Sequence, residues 1–134
     1  MKFNIMIVDD SISVLETLQW LLKEEPYYLF AFDNPLDALK VIKTLEWAVV
    51  VAGRSIRKMD GLEFLNRVRA DSPHTTGIIV TDDNDITGEL DTSYSECVYR
   101  VVKNPLKRNE IKQAVKMAIA CYETNVGSKE HATL

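Results

Sequence analysis

The chain is predicted to fold as a three-layer α/β sandwich, with a five-stranded parallel sheet held between helices. Three observations predict it. Five short apolar runs alternate with longer segments, most of helical period. The third run, Trp47 to Ala52, is apolar without a break, as a strand buried on both faces should be. The last segment places Ile111, Ala114, Val115, Ala118, Ile119 and Tyr122 at i, i+3, i+4, i+7, i+8 and i+11, one stripe of a helix.

Phe3 to Val8 is the first strand, dense in Ile and Val. Ser11 can cap the first helix, whose stripe is Val14, Leu15, Leu18, Leu21 and Leu22. Pro26 ends that segment. Tyr27 to Phe32 is the second strand. Asn34 before Pro35 is a cap-then-proline start for a second helix carrying Ala38, Leu39, Ile42 and Leu45. Trp47 to Ala52 follows as the third strand. Asp60 can cap a third helix that turns Phe64, Leu65 and Val68 inward. Gly77 to Thr81 is the fourth strand. Asp85 to Glu96 is a poor fourth helix, because Gly88 and its threonines and serines lower the propensity. Val98 to Val102 is the fifth strand, and the Ile111 stripe marks the fifth helix.

Parallel strands need crossovers, which are right-handed. The expected architecture is therefore a flavodoxin-like (βα)5 sandwich of sheet order 2-1-3-4-5. Such sheets bind ligands at the carboxyl ends of the strands, where the order reverses. That directs attention to Asp9, Asp10, Gly53, Thr81 and the residues after Val102. One domain is expected over residues 1–123, with 124–134 a frayed tail that has lost the apolar period.

The bulk numbers fit one soluble domain of ordinary composition. A chain of 134 residues, 46% hydrophobic and 27% charged, can build one core. A net charge of -4 and a pI near 5.2 argue against nucleic acid or an anionic membrane as partner. No run reaches the ~20 apolar residues of a spanning helix. Cys97 and Cys121 stand alone, which fits a reducing cytoplasm better than a disulfide framework.

Asp9 and Asp10 close the first strand side by side. Adjacent carboxylates repel, and a divalent cation or a basic side chain can neutralise them. A solvated turn, with Asp10 assisting the helix N-terminus, accounts for the same pair equally well.

The set becomes specific when taken together. Asp9-Asp10 after an apolar strand, Met59-Asp60-Gly61 before a helix, Thr81 ending the fourth strand and Pro105 after the fifth resemble a response-regulator receiver domain. The register has no gap from residue 1 to about 123. The run Val98 to Pro105 is similar to receivers found with cyclic-di-GMP phosphodiesterase output modules. The resemblance implies a CheY-like module of two-component phosphorelay signalling that is not itself an enzyme. It also implies a histidine kinase or an output protein as partner. The contact face it implies is the fourth helix, fifth strand and fifth helix, which can also form a homodimer. Here Tyr94, Tyr99, Arg100, Lys112, Lys116 and Glu123 would decorate that face.

Several positions depart from the family pattern. The family's phosphoacceptor aspartate lies eight residues before the glycine of the Met-Asp-Gly turn, and counting back from Gly61 gives Gly53. Glycine has no nucleophile. The family's lysine before the proline is Asn104, with Lys103 one place earlier, and successive strand residues face opposite ways. The switch pair becomes Thr81 with Val101, where the family has an aromatic. The small residue after the threonine is Asp82. The family's Pro-Gly in the loop after the third strand is Arg57-Lys58. Losing the acceptor and the lysine together keeps the formal charge of the site at minus two.

The expectation is a degenerate receiver that works through protein–protein contact. Its altered pocket comprises Asp9, Asp10, Gly53, Thr81, Asp82 and Asn104. Arg54 or Arg57 is expected either to lie over the acidic pair as a counter-charge or to be solvated. No cofactor is required. Weak magnesium binding at Asp9 and Asp10 is allowed, since Gly53 supplies no side-chain oxygen. One alternative is a conventional receiver phosphorylated on Asp10, Asp60 or Asp82. Another is a magnesium-dependent phosphohydrolase with Asp9 as nucleophile, which the adjacency of the two aspartates disfavours. His74 and His131 have no partner at ligand spacing. Trp20 and Trp47 are expected in the core or at its edge. The basic stretch Lys103 to Arg108 lacks the stacking aromatics of a nucleic-acid patch.

Overall fold

The computed structural model describes residues 2–82 and 100–132, the last five of these by backbone alone. The elements are β1 (Phe3–Val8), α1 (Ile12–Leu21), β2 (Tyr27–Phe32), α2 (Pro35–Lys40), β3 (Val49–Gly53), β4 (Ser55–Ile56), β5 (Met59–Asp60), α3 (Gly61–Asp71), β6 (Thr76–Thr81), β7 (Arg100–Lys103) and α4 (Arg108–Ala132). The main sheet runs β2-β1-β3-β6-β7 with every pairing parallel. Setting aside the small β4–β5 hairpin, this is the order the sequence predicts. The expected fourth helix, Asp85 to Glu96, lies outside the described residues, as do Tyr94, Cys97, Val98 and Tyr99.

The alternation of side chains along each strand makes the three layers. Ile5, Ile7, Val49, Val51, Ile78 and Val80 face one way and pack with α1 and α4. Met6, Val8, Val50, Ala52 and Ile79 face the other way and pack with α2 and α3. Central strands β3 and β6 are buried along their whole length, which explains their unbroken apolar runs. Each large apolar side chain fully buried here contributes about 1.5–3 kcal/mol.

Local chemistry sets the helix starts. The Ser11 hydroxyl accepts the Val14 N–H, Asn34 Oδ1 accepts the Leu36 N–H, and Asp60 Oδ1 accepts the Leu62 N–H. The helix stripes enter the core where expected: Leu15, Leu18, Phe64, Leu65, Val68, Ile111, Ala114 and Val115 are all buried.

Three expectations need correction. The second helix stops at Lys40, and Val41 and Ile42 instead make i→i+3 backbone bonds. Trp47 is the reason. It fills the space beneath α2, edge-on to Phe30 at 5.1 Å, so the chain turns early and Leu45 is left 43% exposed. Trp47 thus precedes β3 instead of opening it. The third correction concerns residues 124–132, which are helical and not frayed. Thr124 Oγ1 donates to the Ala120 carbonyl, and Asn125 Nδ2 donates to the carbonyl of His74 at 3.4 Å. Gly127 costs the helix only about 1 kcal/mol, too little to stop it. No helix among the described residues is long and apolar enough to cross a membrane.

Candidate functional site

The carboxyl ends of β1, β3, β6 and β7 meet at the reversal point of the sheet order. The ladder reaches past the strands there. Asp9 N–H donates to the Phe32 carbonyl, Arg54 N–H to that of Val80 and Asn104 N–H to that of Thr81. These bonds fix the backbone beneath each candidate side chain.

Asp9 is 9% exposed, and its Oδ1 accepts the Ser11 N–H at 2.9 Å. Burial raises its carboxyl above the ordinary 3.8, and the charges of Asp10 and Asp82 add to the rise, while the Ser11 N–H opposes it. Asp82 is therefore part of the same acidic surface. Asp10 is exposed, and its Oδ2 accepts the Arg57 backbone N–H at 3.1 Å.

Gly53 ends β3 directly beside Asp9. A Cβ on residue 53 would lie 2.5 Å from Asp9 Oδ2 and 3.0 Å from its Cγ, closer than side chains approach. The Asp9 carboxylate thus stands where a side chain at position 53 would begin. Gly61 is needed for a related reason. Its N–H donates to the Arg54 carbonyl at 2.7 Å, and a Cβ there would overlap the carbonyl oxygen of Gly53.

The loop between β3 and α3 is a tight hairpin. Ser55 pairs with Asp60 and Ile56 with Met59, leaving Arg57 and Lys58 as the two turn residues. Their φ angles are 48° and 71°, the pattern of a type I′ turn. The Arg57 guanidinium turns away from the acidic pair. Its Nε donates to the Asp33 carbonyl at 2.8 Å, and Nη2 lies 3.5 Å from Asp33 Oδ2. The expected counter-charge is corrected accordingly. Neither Arg54, Arg57 nor Lys103 makes an ion pair with Asp9 or Asp10, and Arg57 reaches Asp10 through its backbone alone. Arg54 Nη1 is buried without a hydrogen-bond partner.

Thr81 is buried, and Lys103 is its partner in the β6–β7 register. Val101 packs, half-buried, against the α2–α3 layer. Of the expected contact residues, Arg100 is exposed on the edge strand β7. Lys112 pairs with Glu25 at 3.2 Å, and Lys116 borders the same hollow. Tyr94 and Tyr99 lie outside the described residues.

The geometry thus brings Asp9, Asp10, Gly53 and Asp82 together, with Thr81 and Asn104 on the adjoining strand ends. Among the described residues no group of three His, Cys, Asp or Glu side chains is arranged to hold a metal ion. Two features escaped the sequence reading: the Arg57–Asp33 tie and the left-handed pair at residues 57–58. The two-residue spacing between Ile56 and Met59 was the available signal, but neither arginine nor lysine advertises a type I′ turn.

The family model for the response regulator receiver domain matches residues 5–116. Sporulation initiation phosphotransferase F of Bacillus subtilis is 29% identical over 119 residues, covering 87% of this chain and 93% of its own. The chain spans 25% and 27% of the length of two transcriptional regulators that it also matches. Among solved structures, one named as adenylate cyclase from Rhodopirellula baltica superposes with a TM-score of 0.86 at 26% identity, over 99% of this chain and 98% of that one. The signal receiver domain of an HD domain-containing protein from Pseudomonas fluorescens gives 0.82 at 27% identity, over 96% and 93%.

Proposed function

The chain belongs to the response regulator receiver family of two-component signalling, and on that premise we propose that it is a pseudo-receiver, acting through protein–protein contact without taking a phosphoryl group. One observation carries this reading. The position that matches the family's phosphoacceptor is Gly53, and the space above it is held by Asp9 Oδ2. Phosphoryl transfer needs a carboxylate oxygen free to attack and a cation to neutralise the incoming charge. Position 53 supplies no such oxygen. Asp10 has one oxygen committed to the Arg57 N–H, so magnesium would find a weak site there at best.

A receiver has two states that phosphorylation biases. Without an acceptor, one state is favoured outright, or a partner sets the balance. The partner is a histidine kinase or an output protein in the cytoplasm. The HD domain-containing relative and the structure named as adenylate cyclase suggest an enzymatic output module. Contact would run over the edge strand β7 and the N-terminal half of α4.

A second reading is favoured by Asp82. It is exposed, and its charge reaches Asp9. Of the substitute carboxylates, Asp60 is committed to capping α3 and Asp10 to the Arg57 N–H, which leaves Asp82 the freest. Incubation with a small acyl phosphate and magnesium, followed by intact mass, separates the two. No added mass is expected. A stoichiometric, hydroxylamine-labile phosphoryl adduct would overturn the pseudo-receiver reading, and its loss in Asp82→Asn would assign it.

A further inference from the structure

The main sheet ends at β2, whose outer side pairs with no described strand. Along a strand the N–H and C=O of one residue point to the same side, and those of the next residue point to the other. The Phe32 carbonyl accepts the Asp9 N–H, so Tyr28, Phe30 and Phe32 are turned toward β1. Tyr27, Leu29, Ala31 and Asp33 are therefore turned outward. The outward row is closed at both ends. The Tyr27 N–H donates to the Glu25 carbonyl at 2.8 Å, and the Asp33 carbonyl accepts Arg57 Nε. Between them, the Tyr27 carbonyl and both backbone groups of Leu29 and Ala31 make no hydrogen bond among the described residues.

Proteins usually blunt such an edge with a charge, a proline or a bulge. Tyr27–Phe32 reads YYLFAF, with no charge and no proline, and its register with β1 is unbroken over six residues. Tyr28 stands 53% exposed on it. The acids that flank the strand are already matched within the chain, Glu25 by Lys112 at 3.2 Å and Asp33 by Arg57 at 3.5 Å. Lys2 is exposed, with Nζ 5.2 Å from the Tyr28 ring centroid, and its long stem can keep that charge in water. The same strand of a second copy can therefore approach without burying an unpaired charge.

We propose that β2 pairs antiparallel with β2 of a second copy of this chain, about a two-fold axis at Leu29, joining two five-stranded sheets into one. The Leu29 N–H donates to the partner's Leu29 carbonyl and the Ala31 N–H to the partner's Tyr27 carbonyl, and symmetry makes each bond twice. Every open group of the row is answered except the Ala31 carbonyl. Tyr28 falls opposite the partner's Phe30, in the closer, non-hydrogen-bonded kind of pair that suits two aromatic rings. A slip that set Leu29 against the partner's Ala31 would drive Tyr27 onto the Arg57 side chain that closes the row at Asp33, so Arg57 fixes the register. The pairing does not depend on whether the chain takes a phosphoryl group, and it leaves the face of β7 and α4 free for another partner.

Sedimentation of the whole chain is followed over a concentration series, up to about 0.5 mM because one strand pair makes a small interface. The mass should rise reversibly from 15.2 kDa toward twice that value. Amide exchange at the two ends of the series locates the contact. The Leu29 and Ala31 N–H groups should slow about tenfold at high concentration, while those of Tyr28 and Phe30, already bonded to β1, should not change. Ala31→Pro removes an N–H that the single chain does not use, so the sheet should survive and the dimer should be lost. Tyr28 is exposed, so Tyr28→Lys should also leave the fold intact, and losing both aromatic pairs should weaken association about threefold or more. A mass that stays at 15.2 kDa throughout would overturn the proposal. So would a dimer that survives both variants, or one that forms with Leu29 and Ala31 exchange unchanged, as a dimer through β7 and α4 would.

Discussion

Asp9 Oδ2 lies over Gly53 so closely that a Cβ on residue 53 would sit 2.5 Å from it. The two residues therefore share one volume. An added methyl must either overlap the carboxylate or rotate it away from the Ser11 N–H. Overpacking of this kind costs about 1–3 kcal/mol. Against it stands the stiffening of the unfolded chain in a Gly→Ala change, about 0.4–1 kcal/mol. The first effect wins, so Gly53→Ala should destabilise by about 1 kcal/mol, seen as a lower urea midpoint at unchanged slope. Asp9→Ala should relieve most of that loss. Additive behaviour in a double-mutant cycle would show that the two positions do not compete.

Asp9 also sets a pH dependence. Its folded value is raised, first by burial and then by Asp10 and Asp82. The folded state therefore holds this proton more tightly than the unfolded chain does. Stability falls as pH rises from the unfolded value through the raised one, and the penalty is complete once the pH is above the raised value. Asp9→Asn keeps an oxygen for the Ser11 N–H and removes the charge. It should stabilise the protein at pH 7 by about 0.5–2 kcal/mol, and the gain should shrink as pH drops below the raised value. A gain that is flat with pH, or a loss at neutral pH, would contradict the burial argument.

Most of the fold was legible because its signals are local. The Ser11, Asn34 and Asp60 caps announce helix starts, and the parity of Ile5, Ile7 against Met6, Val8 announces the layers. Gly53 was legible through its fixed spacing to Gly61. What escaped was decided by tertiary contact. Trp47 packing under α2 shortens that helix, and no period in the sequence shows it. The α4 extension depends on a side-chain bond to His74, which is distant in the chain. Arg57 was legible as a charge near the site, but its direction was set by Asp33.

The β4–β5 turn stores strain that can be released. Arg57 and Lys58 both have positive φ. A non-glycine residue in this region costs about 1–2 kcal/mol, and the extra entropy of a glycine about 0.5–1. Lys58 gives nothing back, since it forms no ion pair among the described residues. Lys58→Gly should therefore stabilise by about 0.5–1 kcal/mol. Arg57→Gly should be close to neutral, because it also removes the exposed Asp33 pair and the bond to the Asp33 carbonyl. Thermal unfolding of the two variants side by side checks the order, and equal gains would show that the Arg57 contacts contribute nothing.

The last turns of α4 provide the remaining test. Residues 124–127 lie beyond the expected domain boundary, yet Val126 is half-buried and Asn125 binds the loop that leads into β6. A chain ending at Glu123 would lose that hydrogen bond, worth about 0.5–1.5 kcal/mol, and part of the apolar cover over Trp47 and Tyr122. Truncation should then cost about 1–2 kcal/mol. Asn125→Ala alone should cost less than half of that, because its bond is long at 3.4 Å. The loss should appear in hydrogen exchange as faster opening of residues 72–75, with the amides of β1 unchanged. A truncated chain as stable as the full one, with the same protection of that loop, would show the added turns to be spectators.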